Sequence, residues 1–99
     1  MKRFVIGTDR TTAEQDTAFY AILRSRFPSL GWWHNLTETW LLIDRSDTCT
    51  AASLRDAAKE AFPNICLMVI DVDGNDWAGM SRGDNFQWIH ENWSKKPQA

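Results

Sequence analysis

The sequence predicts a small α+β domain with the element order βαββαβ, followed by a C-terminal extension. Residues Gly31–Asp44 form two segments rich in β-branched and aromatic residues on either side of Thr37-Glu38, which is typical of a β-hairpin. When the chain is laid on itself so that Asp9 coincides with Asp44, Phe27-Pro28 coincides with Phe62-Pro63. Each half therefore contains a strand, a polar turn, a helix that ends at Phe-Pro and a second strand. Two such halves in one short chain predict the ferredoxin-like sandwich.

The first half begins with a strand predicted over Arg3–Asp9. Thr11 and Glu14 match a capping box, in which a hydroxyl and a carboxylate each bind a free backbone N–H at a helix start. The first helix is expected to run to about Phe27, because Pro28 cannot follow within a helix. Its core-facing stripe has helical spacing and consists of Phe19, Ile22, Leu23 and Phe27.

The period of two within the hairpin predicts which of its residues share a face of the sheet. Trp32, His34 and Leu36 are expected on one face, and Trp33 and Asn35 on the other. The following segment, 39–44, is apolar on both faces over Trp-Leu-Leu-Ile, which indicates an interior strand.

The second half repeats the pattern of the first. A helix is predicted from about Thr50 to Phe62, where Pro63 ends it, and a fourth strand over Asn64–Asp73.

The C-terminal extension carries weaker signals. Asp73-Gly74-Asn75 predicts a turn, and Trp77–Met80 a short fifth strand. Asp84–Trp93 has apolar residues at helical spacing, with Asp84 as the N-cap, and Lys95–Ala99 is expected to be frayed.

These elements predict one domain over 1–99, with a core of 3–73 and an extension of 74–94. Strands one and three are expected to lie side by side and parallel in the centre, with strand two beside strand three and strand four beside strand one. Both helices would cover one face, and the C-terminal tail, a second subunit or a ligand would cover the other. The alternative architecture is an α/β open sandwich with another strand order.

Composition excludes several classes of protein. The formal net charge is −2, the charges are mixed, and no basic block exists beyond Lys95-Lys96, so the chain lacks a strong electrostatic footprint for nucleic acid. No apolar run reaches the ~20 residues of a membrane span, and no signal peptide is evident. Cys49 and Cys66 lack metal-ligand spacing and are predicted to be reduced thiols of a cytoplasmic protein.

Two aspartates form the candidate chemical site. In the predicted fold, Asp9 and Asp44 end adjacent parallel strands, where their carboxylates would hold Mg²⁺, and the bound ion would activate water for phosphodiester cleavage. Arg10 and Arg45 would then bind phosphate. Thr11, Ser46 and Asp47 lie near enough in sequence to join the site. The alternative is that both aspartates are turn and cap residues.

Other polar residues give weaker patterns. A cluster around Gly74 is similar to a calcium loop, but the glycine comes too early and no glutamate closes the loop, so a polar turn is the better interpretation; its members are Asp71, Asp73, Asn75 and Asp76. His34 and His90 belong to no metal or triad motif, and a catalytic Cys49 would need a nearby base that the sequence does not show.

The tryptophans are predicted to serve packing or assembly. Trp32, Trp33 and Trp40 could stack on unpaired bases, but they lack the interleaved Arg and Lys residues of single-strand binders. The surplus of aromatic residues, together with a sheet that has only two core helices, predicts a homodimer in which Trp77–Trp93 helps to cover or extend a sheet. The candidate interface residues are Trp32, Trp33, Trp40, Trp77, Trp88 and Trp93.

Several segments resemble a known family. The motifs FVIGTD, WHNLTETWLLI, LRDAAKE, LMVIDV and DWAG are similar to those of the SinR-like family of small bacterial and phage proteins. More distantly, the chain resembles the VapD and CRISPR-adaptation group of ferredoxin-like proteins. That resemblance implies a homodimer, and in some members of the group a metal-dependent nuclease with an aspartate at the end of strand one, where Asp9 lies.

Two functions therefore stand as expectations. The first is a non-catalytic interaction or regulatory protein with a protein partner, in phage–host conflict or a nucleic-acid-associated system. The second is a weak metal-dependent endonuclease that uses Asp9 and Asp44 with Mg²⁺ and has nucleic acid as its partner. The acidic balance of charge favours the first, and the resemblance supports the second.

Overall fold

The computed structural model describes residues 1–73, 76–80 and 83–93, and it shows an α+β fold with one four-stranded antiparallel sheet. The elements in chain order are β1 (Lys2–Thr8), α1 (Ala13–Arg26), β2 (Leu30–Leu36), β3 (Thr39–Asp44), α2 (Ala51–Ala61), β4 (Leu67–Val72) and a short π-helix (Ile89–Trp93). The strands lie in the order β2-β3-β1-β4. The α+β class is confirmed, and the arrangement is compatible with the ferredoxin-like class.

The predicted orientation of the central strands is wrong. β1 and β3 are neighbours, but they pair antiparallel, with Lys2 opposite Asp44 and Gly7 opposite Thr39. The physical reason lies in the hairpin. Helix α1 carries the chain back so that β2 starts at the same end of the sheet as β1, and the tight turn before β3 then reverses its direction. β3 lies between β2 and β1 and is antiparallel to both. β4 is antiparallel to β1 as well, so every neighbouring pair in this sheet is antiparallel.

Both helices begin with a threonine capping box and end in the same way. Thr12, rather than Thr11, caps α1, and its partner is Gln15 instead of Glu14. The Thr11 hydroxyl instead donates to the Asp16 carboxylate at 2.6 Å. Helix α2 uses Thr50 and Ser53 in the same arrangement.

At the C-terminal ends, the Phe27 N–H donates to the Leu23 carbonyl and the Phe62 N–H to the Ala58 carbonyl. A proline follows each of these phenylalanines. The Phe-Pro pairs in the sequence therefore marked both helix ends correctly.

The main core lies between the helices and the face of the sheet that they cover, which we call the helix face. Trp40 on β3 is completely buried and lies at its centre. Its ring contacts Phe19 edge-on, with centroids 4.9 Å apart, and packs near Phe62. Aromatic residues of this size bury much apolar area, which a chain of 99 residues needs.

The opposite face of the sheet, which we call the second face, is covered in part by the C-terminal segment. A second core forms there from Trp33, Ile43, Ile89 and Trp93. The tail, one of the three covers that the sequence left open, thus lies on this face.

The tail is secured by hydrogen bonds as well as by packing. The indole N–H of Trp33 donates to the Asn85 carbonyl at 2.7 Å, and the Nε of Arg3 donates to the Trp93 carbonyl at 2.7 Å. Gly31 provides room for the Trp88 ring, since a Cβ there would lie 3.2 Å from it.

Other predictions for the extension fare less well. Trp77–Met80 is irregular rather than a strand, and Asp84 lies in a turn before a helix that begins only near Gln87. Gly74 and Asn75 of the predicted turn, and the predicted frayed end at 95–99, lie outside the described residues.

Candidate functional site

The two candidate metal ligands lie at opposite ends of the sheet. Asp44 is in the part of β3 that pairs with Lys2, whereas Asp9 follows the far end of β1. At about 3.3 Å per residue along a strand, roughly 20 Å separate them. Ligands of one Mg²⁺ lie about 2 Å from the ion, so the antiparallel register rules out the predicted shared site. Arg10 and Arg45 are separated in the same way, and Arg45 donates to the side chain of Asn92 at 2.9 Å.

Asp44 holds the loop before α2. Its side chain is buried, and its two oxygens accept hydrogen bonds from the Ser46 N–H at 3.0 Å, the Ser46 hydroxyl at 2.5 Å and the Cys49 N–H at 2.7 Å. Burial alone would raise the pKa of Asp44, but the hydrogen bonds from Ser46 and Cys49 outweigh it and hold that pKa below its ordinary value. Asp44 is thus a structural turn residue, in agreement with the alternative interpretation of the sequence.

The remaining residues of this loop are also engaged. Asp47 adopts a positive φ of 57° and pairs with the amino group of Met1 at 2.9 Å. Burial, followed by the nearby Asp44 carboxylate, raises the pKa of the Cys49 thiol to about 11. A thiol with such a pKa is protonated at neutral pH and is a poor nucleophile.

Asp9 lies at the mouth of an open cleft at the other end of the sheet. Glu38 and Cys66 line this cleft beside it, and all three are exposed. Asp9 uses its backbone N–H to bond the Cys66 carbonyl, and Thr12 rather than Asp9 caps α1. Within residues 1–73, 76–80 and 83–93, no group of three His, Cys, Asp or Glu side chains is arranged to hold a metal ion.

His34 belongs to a hydrogen-bonded network that joins β2 to α1. Its Nδ1 lies 3.0 Å from the Thr39 carbonyl oxygen, and its Nε2 lies 3.3 Å from an oxygen of Asp16. The imidazole also stacks on Trp40, with centroids 3.7 Å apart and ring planes 6° from parallel. Both ring nitrogens of His34 therefore lie against hydrogen-bond acceptors, and these contacts tie β2 to α1 and to the start of β3.

An apolar pocket opens on the second face, between the hairpin and the tail. Its volume is about 300 Å³. Three aromatic rings form its walls, with Phe86 lying 5.9 Å from Trp33 and 5.5 Å from Trp77 between centroids. Its other lining residues are Leu36, Thr39, Leu41, Ala78, Gly79, Met80 and Ile89. A Cβ at Gly79 would lie 2.8 Å from the Phe86 ring, so a larger residue there would have to displace this wall of the pocket.

Among residues 1–73, 76–80 and 83–93, the large apolar side chains that remain exposed all lie on the second face. Leu36 and Met80, at the pocket, are 53% and 96% exposed, and Met68 and Ile70, on β4, are 60% and 44% exposed. Met68 and Ile70 are opposite Gly7 and Val5 of β1. Side chains alternate between the two faces along a strand, and Phe4 and Ile6 of β1 point to the helix face. Gly7 and Val5, together with the residues opposite them, therefore belong to the second face. In the described part of the chain, the helix face has no exposed apolar residue of this size. These four residues form the open apolar surface.

The sequence pattern does not predict Leu36 as a residue of this pocket, and the reason is specific. A strict period of two places Leu36 on the same face as Trp32 and His34. The pairing of β2 with β3 shifts between Trp33 and Leu36, and such an irregularity exchanges the faces of the residues after it. Leu36 therefore lines the second-face pocket instead.

The predicted interface tryptophans mostly pack within the chain. Trp40 belongs to the main core, and Trp33 and Trp93 are buried in the second core. Trp32 stacks on Tyr20 with centroids 4.5 Å apart. The other two, Trp77 and Trp88, are half-buried against the second core.

Comparisons of the chain with protein-family models, with curated proteins and with solved structures found no match. None of the helices in the described residues has the length and apolar character needed to cross a membrane.

Proposed function

We propose that this chain is a non-catalytic interaction protein of ferredoxin-like fold that forms homodimers and binds an apolar segment of a partner protein. One observation carries the proposal. The exposed large apolar side chains of the described residues are collected on the second face, whereas the helix face has none. Exposed apolar surface that is concentrated on one side of a folded domain is typical of a site of association.

The pocket suits an apolar side chain of a partner. Its volume of about 300 Å³ is at the lower end of the range for ligand pockets, and aromatic residues form its walls. Met80 at the rim is almost wholly exposed, and unbranched methionine side chains adapt to different partners. A setting in phage–host conflict or in a nucleic-acid-associated system is part of the proposal, and it rests on the family resemblance alone.

The nuclease hypothesis has less support. It requires Asp9 and Asp44 to bind the same ion, but about 20 Å of strand lies between them. Both oxygens of Asp44 already accept hydrogen bonds from its own loop.

Charge placed at the pocket rim is expected to weaken partner binding. Leu36→Asp and Met80→Asp each bring a carboxylate to a contact that must lose its water, and loss of a central apolar contact weakens binding by about tenfold or more. The measurement is quantitative capture from the native host with wild type and each variant, followed by titration of the purified partner. Ala21→Asp is the matched control, because Ala21 is an exposed residue of α1.

Proteins retained by wild type and Ala21→Asp but lost from both rim variants would support the proposal. Equal capture by all four proteins, or capture of nucleic acid that is unaffected by the rim substitutions, would contradict it.

A further inference from the structure

Strand β4 is an open edge of the sheet with a regular set of free backbone groups. It pairs with β1 without interruption from Leu67 to Val72, and no other strand of the described residues pairs with it. In an antiparallel pair, residues alternate between those whose N–H and C=O both face the partner strand and those whose groups both face away.

The register identifies which residues of β4 face outward. The Asp9 N–H donates to the Cys66 carbonyl, so Cys66 faces β1, and so do Met68 and Ile70 by alternation. The Thr8 N–H instead donates to the backbone carbonyl of Glu38, directly before β3, so Thr8 faces β3 and the alternation along β1 holds. The backbone groups of Leu67, Val69 and Asp71 therefore face away from the sheet.

The other edge of the sheet is better protected. β2 carries an irregularity between Trp33 and Leu36, a device that discourages pairing between edges. The tail is also fastened to it, since the side chains of Trp33 and Asn35 both donate to the Asn85 carbonyl. β4 has no such irregularity, proline or lysine.

We propose that a second copy of this chain pairs with β4 in antiparallel register about a two-fold axis at Val69. Val69 then lies opposite Val69 of the second copy, and Leu67 lies opposite its Asp71. This inference rests on the homodimer of the proposed function and assigns that homodimer its contact.

The backbone favours this register. With Val69 at the axis, the outward-facing residues of both copies meet as hydrogen-bonded pairs, and all three such residues on each edge are used. The helices of both copies then lie on the same side of one continuous eight-stranded sheet, made of two four-stranded sheets.

The side chains fit the same register. On the second face, Met68 of each copy lies opposite Ile70 of the other, so both exposed apolar residues of β4 become covered. On the helix face, Asp71 lies opposite Leu67 of the other copy rather than opposite itself. Arg55 and Leu67 line the same groove of about 270 Å³, so the incoming carboxylate of Asp71 arrives beside a guanidinium. Charge and apolar surface are thus both complementary to a second copy.

A charge exchange on the second face tests the contact and its register. Met68→Lys combined with Ile70→Lys places like charges opposite each other, and it is expected to weaken the dimer by roughly 100-fold or more. Met68→Lys combined with Ile70→Glu places each lysine opposite a glutamate of the other copy, so it is expected to dimerise. In a register centred on Ile70, the glutamates would face each other and repel. The measurement is sedimentation equilibrium, with circular dichroism to show that each variant is folded.

A wild-type protein that remains monomeric into the millimolar range would overturn the proposal, and so would a dimeric double-lysine variant. A wild-type dimer combined with a monomeric, folded lysine–glutamate variant would overturn the register. If a double variant does not fold, the single substitution Ile70→Lys, at a position that is already 44% exposed, tests the contact by placing a lysine opposite Met68 of the other copy, and it is expected to weaken the dimer less than the double-lysine variant. Leu36→Asp should leave the dimer intact, so the dimer contact and the binding of a partner protein can fail independently.

Discussion

Trp40→Ala is expected to destabilise the protein by about 3–5 kcal/mol. Trp40 is completely buried on the interior strand β3. Its ring contacts Phe19 edge-on and stacks on His34, so truncation leaves a cavity between the sheet and both helices. Its indole N–H has no hydrogen-bond partner, and the loss would therefore come from packing alone. A domain of this size is stable by about 5–15 kcal/mol, so the variant should lie close to the unfolding threshold.

Urea denaturation followed by circular dichroism measures this effect. Trp32→Ala serves as the control, because Trp32 is only half-buried on the edge strand β2 and should cost clearly less. A loss below about 1 kcal/mol for Trp40→Ala would show that Trp40 is not at the centre of the core.

Asp44→Ala is expected to cost about 3 kcal/mol, because it removes the acceptor of three hydrogen bonds and leaves the buried N–H of Cys49 without a partner. Asp9→Ala is the matched control. Its carboxylate is exposed and caps no helix, so we expect a change within about 0.5 kcal/mol. Equal losses for the two variants would contradict the distinct roles of the two aspartates.

The same residue predicts a dependence on pH. Because the folded protein holds the pKa of Asp44 below its ordinary value, the stability from its ionised form is present above that ordinary value, near 4. It is lost as the pH falls through the lower pKa of the folded state. The difference in unfolding free energy between wild type and Asp44→Asn should therefore shrink below about pH 4. A difference that is constant from pH 7 to pH 2 would contradict this assignment.

Local signals in the sequence predicted the elements well, because their causes are local. Phe27-Pro28 and Phe62-Pro63 mark helix ends that the prolines impose on any fold. The apolar run of β3 correctly indicated an interior strand, since a strand that is covered on both faces carries apolar residues at successive positions.

The candidate site was harder to predict because it depends on orientation. Whether Asp9 and Asp44 meet is decided by the direction of β3 relative to β1. The repeat of elements does not by itself show that the hairpin reverses this direction. One irregularity in β2 moved Leu36 to the other face, and no periodicity could show it. The edge position of β4 was predicted from the order of the elements rather than from its own residues, since strand four was expected beside strand one.

Hydrogen exchange of the β4 amides tests the central claim most directly, namely that the open second face and its β4 edge form an interaction surface. The amides of Met68 and Ile70 face β1 and should be protected at every protein concentration. The amides of Leu67, Val69 and Asp71 face away from the sheet, and we expect them to exchange quickly in dilute solution and to become protected as the concentration rises through the dimer range. Rapid exchange of the Val69 amide at all concentrations would contradict the account.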